Sequence, residues 1–264
     1  EAAARHLTPV TLELGGKCPA IVDRDAALGV VARRLAYGKF LNAGQTCVAP
    51  DYVLVHAEVE KPLVEHLAKA VTEFYGDDPK ASRDYGRIVS DRHFERLAGL
   101  LAAGGFAEVA AGGLDRADAA TRYLPPTILT GVAAGAAVMG EEIFGPILPV
   151  LAVDDLDAAI AFVNARPKPL ALYVFTSHPP AARAVVERTS SGSACINTCV
   201  VQLAVPDLPF GGVGASGTGA YHGRRGFETF SHRKAVLAKP ALPEPPLQYP
   251  PYTGLRQRLL RKIY

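Results

Sequence analysis

The sequence predicts an α/β fold, a three-layer α/β/α arrangement in which helices cover both faces of a mostly parallel sheet. The first observation is that apolar runs of strand length alternate with segments of helical period, as in βα units. The second is chain length, because 264 residues provide ample apolar surface for one large domain or two small ones. The balance of 49% hydrophobic and 20% charged residues is also that of a globular protein.

Five segments have the apolar spacing of helices. Between Asp25 and Leu41, apolar residues recur every three or four positions, which predicts a helix with one buried face. Asp23 or Asp25 is placed to cap its start, and the turn at 42–44 is placed to end it. The other predicted helices run from Glu58 to about Phe74, from Ser90 onward, near 156–166 and near 181–188.

Six apolar runs have the length and residue types of strands. They are the segments 20–22, 52–56, 108–111, 147–153, 170–176 and 194–197. Beyond Pro206 the composition changes, since residues 209–226 are rich in glycine and residues 240–252 are rich in proline. We expect this tail to wrap over a surface rather than to build its own core.

The charge balance excludes some classes of function. Lys and Arg total 28 against 26 Asp and Glu, so the net charge of +2 offers no electrostatic footprint for nucleic acid. The longest charge-free stretches, such as 123–140, contain prolines and glycines and do not predict a bilayer-spanning helix. The seven histidines include no pair at metal-ligand spacing, so no metal site is expected.

The cysteines indicate the redox environment of the protein, and the first residues indicate whether the chain is part of a longer one. Four cysteines are too sparse for a disulfide framework and include no CxxC pair, which favours a reducing, cytoplasmic location. They are Cys18, Cys47, Cys195 and Cys199. The chain begins at Glu1 with no initiator methionine and no secretory signal, which we interpret as a piece of a longer protein.

Cys47 is the candidate nucleophile. It lies in a polar, glycine-containing turn, 42–50, between a predicted helix and a predicted strand. Nucleophilic attack requires the thiolate, which the backbone N–H groups of a tight turn can stabilise. The alternative is that Cys47 is a small buried hydrophobe, which is the role expected for the other three cysteines beside apolar strands.

Three carboxylates have unusual settings. Glu13 stands between two leucines; partial removal from water raises the pKa of a carboxylate and suits a general base toward water. The alternative is that Glu13 lies on the solvated face of an ordinary strand. Glu141 and Glu142 precede the segment 143–146, and they form either a solvated turn or a carboxylate held for the hydroxyls of a ligand.

Two features of the tail have competing interpretations. Gly212 to Gly217 matches the dinucleotide fingerprint GxGxxG, which needs a strand before it and a helix after it. Because prolines precede it and poor helix formers follow it, we interpret the match as accidental. The segment 255–264 predicts a short basic amphipathic helix that docks on its own protein or on a partner subunit; the alternative is a membrane surface.

Four motifs stand in a fixed order along the chain. They are Leu12-Glu-Leu-Gly-Gly-Lys17, Gly44-Gln-Thr-Cys47, Glu142-Ile-Phe-Gly-Pro146 and Pro209-Phe-Gly-Gly-Val-Gly-Ala-Ser-Gly217. Together they resemble the aldehyde dehydrogenase superfamily. The segments 49–52, 227–232 and 249–252 further resemble its class 3 branch, which includes fatty and coniferyl aldehyde enzymes.

This resemblance implies a division of the chain. Residues 16–205 would form a three-layer catalytic domain of the aldehyde dehydrogenase type, preceded by a remnant of the cofactor-binding domain at 1–15. The tail, 206–264, would make interdomain and oligomer contacts, and a homodimer is the expected assembly. This sequence does not include the family's N-terminal cofactor-binding half, with its phosphate site and an oxyanion-hole asparagine.

The resemblance also implies roles for single residues. Cys47 would attack the carbon of an aldehyde substrate to give a thiohemiacetal, NAD or NADP would take the hydride, and Glu13 would activate the water that hydrolyses the thioester. Glu142 would hold the nicotinamide ribose hydroxyls, and Phe144 would pack beside the nicotinamide ring.

The expected activity of this chain is limited by what it lacks. Without the cofactor-binding half, we expect the chain alone to be inactive as a dehydrogenase and its uncovered apolar face to promote self-association. Two other functions stay open at this point. A cofactor-independent cysteine hydrolase or acyltransferase needs a histidine base near Cys47. A non-catalytic dimerisation module needs no reactive thiol.

Overall fold

The computed structural model describes residues 1–243 and 249–263. The chain divides into two compact units, Glu1–Phe230 and Ser231–Tyr264. The first unit holds the sheet and every candidate site residue. The predicted proline-rich segment 240–252 lies partly outside the described residues, and so does Tyr264 at the end of the predicted amphipathic helix.

Strands and helices alternate along the chain. The strands are β1 (Leu12–Glu13), β2 (Pro19–Val22), β3 (Tyr52–His56), β4 (Glu108–Ala111), β5 (Thr127–Thr130), β6 (Ile147–Val153), β7 (Ala171–Phe175), β8 (Ser193–Ile196) and β9 (Gly217–Thr218). The α-helices are α1 (Leu28–Phe40), α2 (Glu60–Tyr75), α3 (Asp91–Ala102), α4 (Ala137–Gly140), α5 (Leu156–Asn164), α6 (Pro179–Arg188), α7 (Gly223–Thr229) and α8 (Gly254–Ile263). Short 3-10 helices lie at Ala4–His6, Leu41–Gly44, Ala57–Val59, Leu114–Arg116, Ala119–Thr121, Val201–Ala204 and Gly214–Ser216.

Seven strands form the main sheet, in the order β4-β5-β6-β3-β2-β7-β8. All neighbours are parallel except β4 and β5, which are antiparallel. In the register of the central strands, Ile21 lies opposite Leu54 on one side and Val174 on the other. Every residue of β2 and β7 is buried, as expected for the centre of a parallel sheet covered on both faces. The predicted mostly parallel sheet is confirmed.

Helices cover this sheet in two layers because the chain reverses its direction along the sheet. From β2 through β3 to β4 the chain moves toward one edge, and from β4 through β5, β6 and β7 to β8 it moves toward the other. Right-handed crossovers then place α1 and α2 on one face and α5 and α6 on the opposite face. The contacts agree, since α1 packs on α2 and α5 packs on α6. The predicted three-layer α/β/α fold is therefore confirmed.

The start of α1 differs from the prediction. Its N-cap is Ala27, with no side-chain cap, rather than Asp23 or Asp25. The Asp25 carboxylate instead accepts hydrogen bonds from the Thr176 hydroxyl at 2.8 Å and from the Ser177 N–H at 3.2 Å. The capping prediction was wrong because these tertiary contacts with the residues after β7 occupy the Asp25 carboxylate.

The other predicted strands and helices are present, with ends shifted by a few residues. β5 is an addition that the sequence pattern did not indicate. It follows directly on Pro125-Pro126 and is buried between β4 and β6, so its identity as a strand depends on its neighbours rather than on its own alternation. In the second unit, α8 confirms the predicted helix near the end of the chain, and the surface on which it docks stays a prediction.

Candidate active site

The turn after α1 presents Cys47 at a helix end. Asn42 and Ala43 adopt left-handed φ angles of 53° and 52°, and Gly44 follows with a φ of 73°. A Cβ at Gly44 would lie 2.2 Å from the carbonyl oxygen of Gly145, so only glycine allows this close approach. The backbone of the turn therefore packs directly on the loop of the Glu-Ile-Phe-Gly-Pro motif.

Gln45 fixes the turn through both ends of its side-chain amide. Its Nε2 donates to the carbonyl oxygens of Asn42 at 2.9 Å and Arg87 at 3.0 Å, and its Oε1 accepts from the Val89 N–H at 2.9 Å. All four cysteines are free thiols; Cys47 is half-buried, whereas the other three are buried. The structure thus gives Cys47 the exposure that a reacting thiol needs.

Glu13 is placed by the glycine-rich tail. It lies opposite Gly217 in the antiparallel pair of β1 and β9, and the Leu14 N–H donates to the Ser216 carbonyl at 3.0 Å. Gly217 has a φ of 146°, and a Cβ there would lie 2.2 Å from the Leu12 carbonyl oxygen. The GxGxxG letters therefore form the pairing partner of the Glu13 segment, in agreement with the interpretation that the match is accidental.

Cys47 and Glu13 lie together in one site. The pKa of the Cys47 thiol is raised to about 11, chiefly by burial and also by the nearby Glu13 carboxylate, through its charge and as a hydrogen-bond acceptor. The charge of Glu142 acts in the same direction, while the backbone N–H of Cys47 itself opposes these effects only weakly. The stabilisation of the thiolate that we expected from the turn is therefore outweighed, and the resting thiol is protonated.

Glu142 is a half-buried carboxylate that the backbone closely surrounds. Its pKa is raised to about 7, chiefly by burial and then by the charge of Asp51, while a hydrogen bond from the Gly16 N–H opposes the shift. A Cβ at Gly15 would lie 1.8 Å from the Glu142 Oε2. Glu141, in contrast, is exposed and pairs with Arg96 at 2.8 Å. Of the two adjacent carboxylates, Glu141 is the solvated one and Glu142 is the one held in place.

A buried ion pair supports the Glu142 loop from the side of the sheet. The Lys17 ammonium pairs with the Asp51 carboxylate and also donates to the carbonyl oxygens of Val138 at 2.7 Å and Glu141 at 2.8 Å. The Asp51 Oδ1 accepts from the Ile143 N–H at 2.9 Å. The Asp51 side chain is buried and the Lys17 side chain is mostly buried, so the loop is attached to the core by charged groups.

Helix α3 supports the same loop from the other side. The Arg96 guanidinium donates to the carbonyl oxygens of Glu142 and Ile143, and the His93 Nε2 lies 2.7 Å from the Phe144 carbonyl oxygen. Phe144 has a left-handed φ of 49° and leaves 37% of its surface exposed. The ring of Phe144 is therefore available to a ligand while its backbone is held.

One buried cation has no hydrogen-bond partner within the described part of the chain. Lys39 of α1 is fully buried, and its Nζ is unpaired there. Burial lowers the pKa of Lys39 to about 8, and the charge of Asp51 opposes this shift. The sequence indicates that this lysine is buried, because Lys39 falls on the apolar face of the helix predicted between Asp25 and Leu41.

An aromatic cluster stands beside the Cys47–Glu13 pair. Phe210 and Tyr221 are joined by a backbone bridge, with ring centroids 5.7 Å apart, and the ring of His222 stacks on Phe210 at 5.2 Å. Burial raises the pKa of Tyr221, and the charges of Glu13 and Cys47 add to this effect. The hydrogen-bond acceptor next to the thiol is nevertheless Glu13 rather than a histidine.

The described residues form neither a metal-binding cluster nor a membrane-spanning helix. In residues 1–243 and 249–263, no group of three or more His, Cys, Asp or Glu side chains is placed to hold a metal ion. Over the same ranges, no helix combines the length and the apolar character needed to span a bilayer.

The fold and the site together define a class of protein, namely a parallel α/β domain that brings a free thiol next to a carboxylate. The particular family follows from comparison with known proteins. The aldehyde dehydrogenase family profile matches residues 1–236, and the chain belongs to this family. The resemblance predicted from the four motifs is therefore confirmed.

The relatives include enzymes named for aldehyde oxidation. The "Aldehyde dehydrogenase, dimeric NADP-preferring" of Rattus norvegicus is 53% identical over 252 residues, which cover 95% of this chain and 54% of the relative. The "4,4'-diaponeurosporen-aldehyde dehydrogenase" of Staphylococcus aureus is 49% identical and covered to 55% of its length, against 96% of this chain. The chain thus spans about half the length of the curated relatives that it matches.

A solved structure matches the fold over the whole chain. The substrate-bound state of Staphylococcus aureus AldH superimposes with a TM-score of 0.94 at 47% sequence identity, covering 100% of this chain and 57% of that one. An NAD-dependent aldehyde dehydrogenase from Sinorhizobium meliloti gives a TM-score of 0.80 at 32% identity, covering 92% of this chain and 48% of that one.

The structure brings the predicted site residues into two groups. Cys47 and Glu13 form the thiol side, and Glu142 and Phe144 belong to one loop. Sequence reasoning missed the polar and charged side chains that hold this loop. They are Lys17, Asp51, His93 and Arg96. Lys17 lies within the first motif and Asp51 lies in the segment 49–52, so both could have been predicted as site residues. His93 and Arg96 on α3 lie in no motif.

Proposed function

We propose that the protein to which this chain contributes the catalytic half oxidises an aldehyde to a carboxylic acid, with NAD or NADP as the hydride acceptor. The observation that carries this proposal is the placement of the Cys47 thiol against the Glu13 carboxylate. Membership of the aldehyde dehydrogenase family and the printed names of the relatives support the reaction and the cofactor class.

Cys47 and Glu13 divide the bond-making steps. The thiol passes its proton to Glu13 as the sulfur attacks the aldehyde carbon, which forms the S–C bond and moves the carbonyl π electrons onto oxygen. Glu13 then releases this proton to solvent. After the carbon has been oxidised, Glu13 takes a proton from water, the water oxygen attacks the thioester carbon, and the C–S bond breaks to release the acid.

The high pKa of the resting thiol gives Glu13 a second task. Because burial and the Glu13 charge hold Cys47 protonated at about neutral pH, the sulfur becomes nucleophilic only when its proton is removed. The neighbouring carboxylate is the group placed to accept that proton. Glu13 therefore serves before the attack and again during hydrolysis.

The residues present fit the nicotinamide ribose of the cofactor. When bound, NAD or NADP supplies the acceptor for the hydride that leaves the substrate carbon. The Glu142 carboxylate receives a hydrogen bond from the Gly16 N–H and retains lone pairs for hydroxyl donors. Phe144 presents an exposed ring from the same loop. We assign Glu142 to the ribose hydroxyls and Phe144 to the face of the nicotinamide.

The proposal extends to assembly and setting. A homodimer is proposed because a relative at 53% identity carries "dimeric" in its name. The four free thiols support a reducing, cytoplasmic location. We also propose that the 264-residue chain alone does not turn over, since it spans about half of its relatives and the loss of a single oxyanion donor costs on the order of a hundredfold to a thousandfold in rate.

The test uses the whole protein that contains this chain, assayed for NADH or NADPH formation with a panel of aldehydes. Cys47→Ser should abolish measurable turnover, and Glu13→Gln should slow it by about 10²-fold to 10⁴-fold, the usual contribution of a general base. Glu187→Gln, an exposed carboxylate on α6, is the matched control and should behave as wild type. Wild-type turnover by Cys47→Ser would overturn the proposal.

A further inference from the structure

One turn of α3 holds the backbone of the loop 141–144 at consecutive residues. Arg96 Nη1 donates to the Glu141 carboxylate at 2.8 Å and to the Glu142 carbonyl oxygen at 3.3 Å, and Arg96 Nη2 donates to the Ile143 carbonyl oxygen. The His93 Nε2 reaches the next carbonyl oxygen, that of Phe144. Every residue of the loop is thus bonded to this one helical turn, which we call the α3 clamp (His93 and Arg96).

The two clamp residues also fix each other. They are three positions apart and share a face of α3. The Arg96 Nε donates to the His93 Nδ1 at 3.3 Å, so that nitrogen is an acceptor and the ring proton is on Nε2. The His93 Nε2–H then donates to the Phe144 carbonyl oxygen at 2.7 Å. A neutral imidazole of one tautomer satisfies both contacts.

The clamp acts at a point where the backbone needs support. Phe144 adopts a left-handed φ of 49°, a conformation that side chains with a Cβ rarely take unless the surroundings determine it. A Cβ at the following Gly145 would lie 2.5 Å from Leu97 Cδ1, so α3 itself packs directly on the loop. Leu97 is fully buried, which makes α3 a rigid base for the clamp.

From these contacts we propose that His93 and Arg96 are positioning residues that fix Glu142 and Phe144 in the geometry that accepts the nicotinamide ribose and ring. This inference rests on the proposed function. The hydrogen bonds of these two side chains go to the loop 141–144 and to each other, whereas the charged groups acting on the Cys47 thiol are Glu13 and Glu142. Loosening the clamp should therefore weaken cofactor binding without slowing the reaction of the thiol, because the charge of Glu142 acts on Cys47 only by raising its pKa.

The experiment uses the whole protein and three readouts. The dissociation constants of NADH and NADPH are measured by the fluorescence of the bound nucleotide, the Cys47 reactivity by iodoacetamide alkylation without cofactor, and the mobility of the loop by hydrogen exchange over 138–146. Arg96→Gln is compared with Arg92→Gln, which removes the same charge from an exposed position on the same helix.

We expect Arg96→Gln to raise the cofactor dissociation constant by about tenfold to a hundredfold, the range for loss of hydrogen bonds to a charged group. Exchange over 138–146 should accelerate, while alkylation is not slowed and the melting temperature stays near that of wild type. Arg92→Gln should change none of these. His93→Ala should weaken binding, and His93→Gln should recover most of it, because the glutamine Nε2 can still donate to the Phe144 carbonyl.

Two results would overturn the positioning role. One is a wild-type dissociation constant in Arg96→Gln. The other is a weakened cofactor affinity accompanied by an equal slowing of alkylation and a lowered melting temperature, which would show a general loss of structure. If Arg96→Gln fails to fold, the difference between His93→Ala and His93→Gln decides. A wild-type protein that binds no nicotinamide cofactor would refute the proposed function instead, so the two failures are distinguishable.

Discussion

The thiol side of the site and its cofactor side are built differently. On the thiol side, Cys47 and Glu13 act on each other directly, and backbone geometry places both. A left-handed turn carries Cys47, and the pairing of β1 with β9 carries Glu13. On the cofactor side, the loop 141–144 is held by charged side chains from other segments that bind its backbone.

This difference predicts which changes each side tolerates. On the thiol side, activity should be sensitive to glycine substitutions that alter the path of the backbone, because backbone atoms cannot move aside as a flexible side chain can. The cofactor side should be sensitive to the loss of a charge, because its supporting bonds are made by ionised groups in a buried setting. Four substitutions, taken from the largest expected effect to the smallest, test this contrast.

Asp51→Asn should have the largest effect. It leaves the buried Lys17 ammonium without its counter-charge, and breaking one partner of a buried pair costs about 3–5 kcal/mol in the free energy of unfolding. Urea denaturation of the whole protein measures this change. Asp157→Asn, which breaks an exposed pair with Arg188, is the control and should cost about 0–1 kcal/mol. If both substitutions lower the free energy of unfolding by the same amount, the Lys17–Asp51 pair is not the support of the loop.

Gly217→Ala should disable the thiol side. Its Cβ would lie 2.2 Å from the Leu12 carbonyl oxygen, and the φ of 146° is unfavourable for alanine, so the pairing of β1 with β9 must shift and displace Glu13. We expect aldehyde oxidation to slow by about a hundredfold or more, as for loss of the general base. Gly140→Ala, where a Cβ meets nothing within 4 Å, should keep its rate. A Gly217→Ala enzyme of normal rate would contradict the placement of Glu13 by β9.

Glu142 should make cofactor binding depend on pH. Because its pKa is raised to about 7, the side chain is mostly neutral at lower pH and mostly ionised at higher pH. The ionised form is the stronger acceptor for ribose hydroxyls, so affinity should rise by about tenfold as the pH increases through 7. Binding curves between pH 5.5 and 8.5 measure this. Glu142→Gln should bind weakly at every pH, and a pH dependence unchanged in that variant would assign the effect to another group.

Gly15→Ala should have the smallest effect. Its Cβ would meet the Glu142 Oε2 at 1.8 Å, but a carboxylate at the end of a flexible side chain can move away. Stability should therefore change little, while the cofactor dissociation constant rises by about fivefold, the value of one hydrogen bond. Titration with NADH and a thermal melt of the same sample separate the two effects. Loss of stability with normal binding would mean that Glu142 is not free to move.

The sequence predicted most of the fold and the family, whereas the roles of the site side chains stay predictions. Apolar periodicity found the central strands because β2 and β7 are continuous buried runs, and it missed β5, which depends on its neighbours. The four motifs identified the family, which the family profile confirms. The roles of Cys47, Glu13, Glu142 and Phe144 stay predictions, and the structure places them where those roles are possible.

Two of the supporting residues, His93 and Arg96, could not be predicted for a physical reason. His93 and Arg96 contact the loop 141–144 from a helix more than forty residues earlier, and only tertiary packing creates those bonds. The prediction that Asp25 caps α1 was wrong for the same reason, since residues after β7 compete for its carboxylate. The expectation that the turn lowers the Cys47 pKa failed because a single backbone N–H is outweighed by burial and by Glu13.

The most direct test of the account is the pH dependence of Cys47 alkylation in wild type and in Glu13→Gln, measured on the whole protein without cofactor. If the carboxylate lies against the thiol, removing its charge lowers the pKa of Cys47, so the midpoint of the alkylation profile should lie at lower pH in Glu13→Gln than in wild type. Superimposable profiles, or a shift to higher pH, would contradict the pairing of these two side chains.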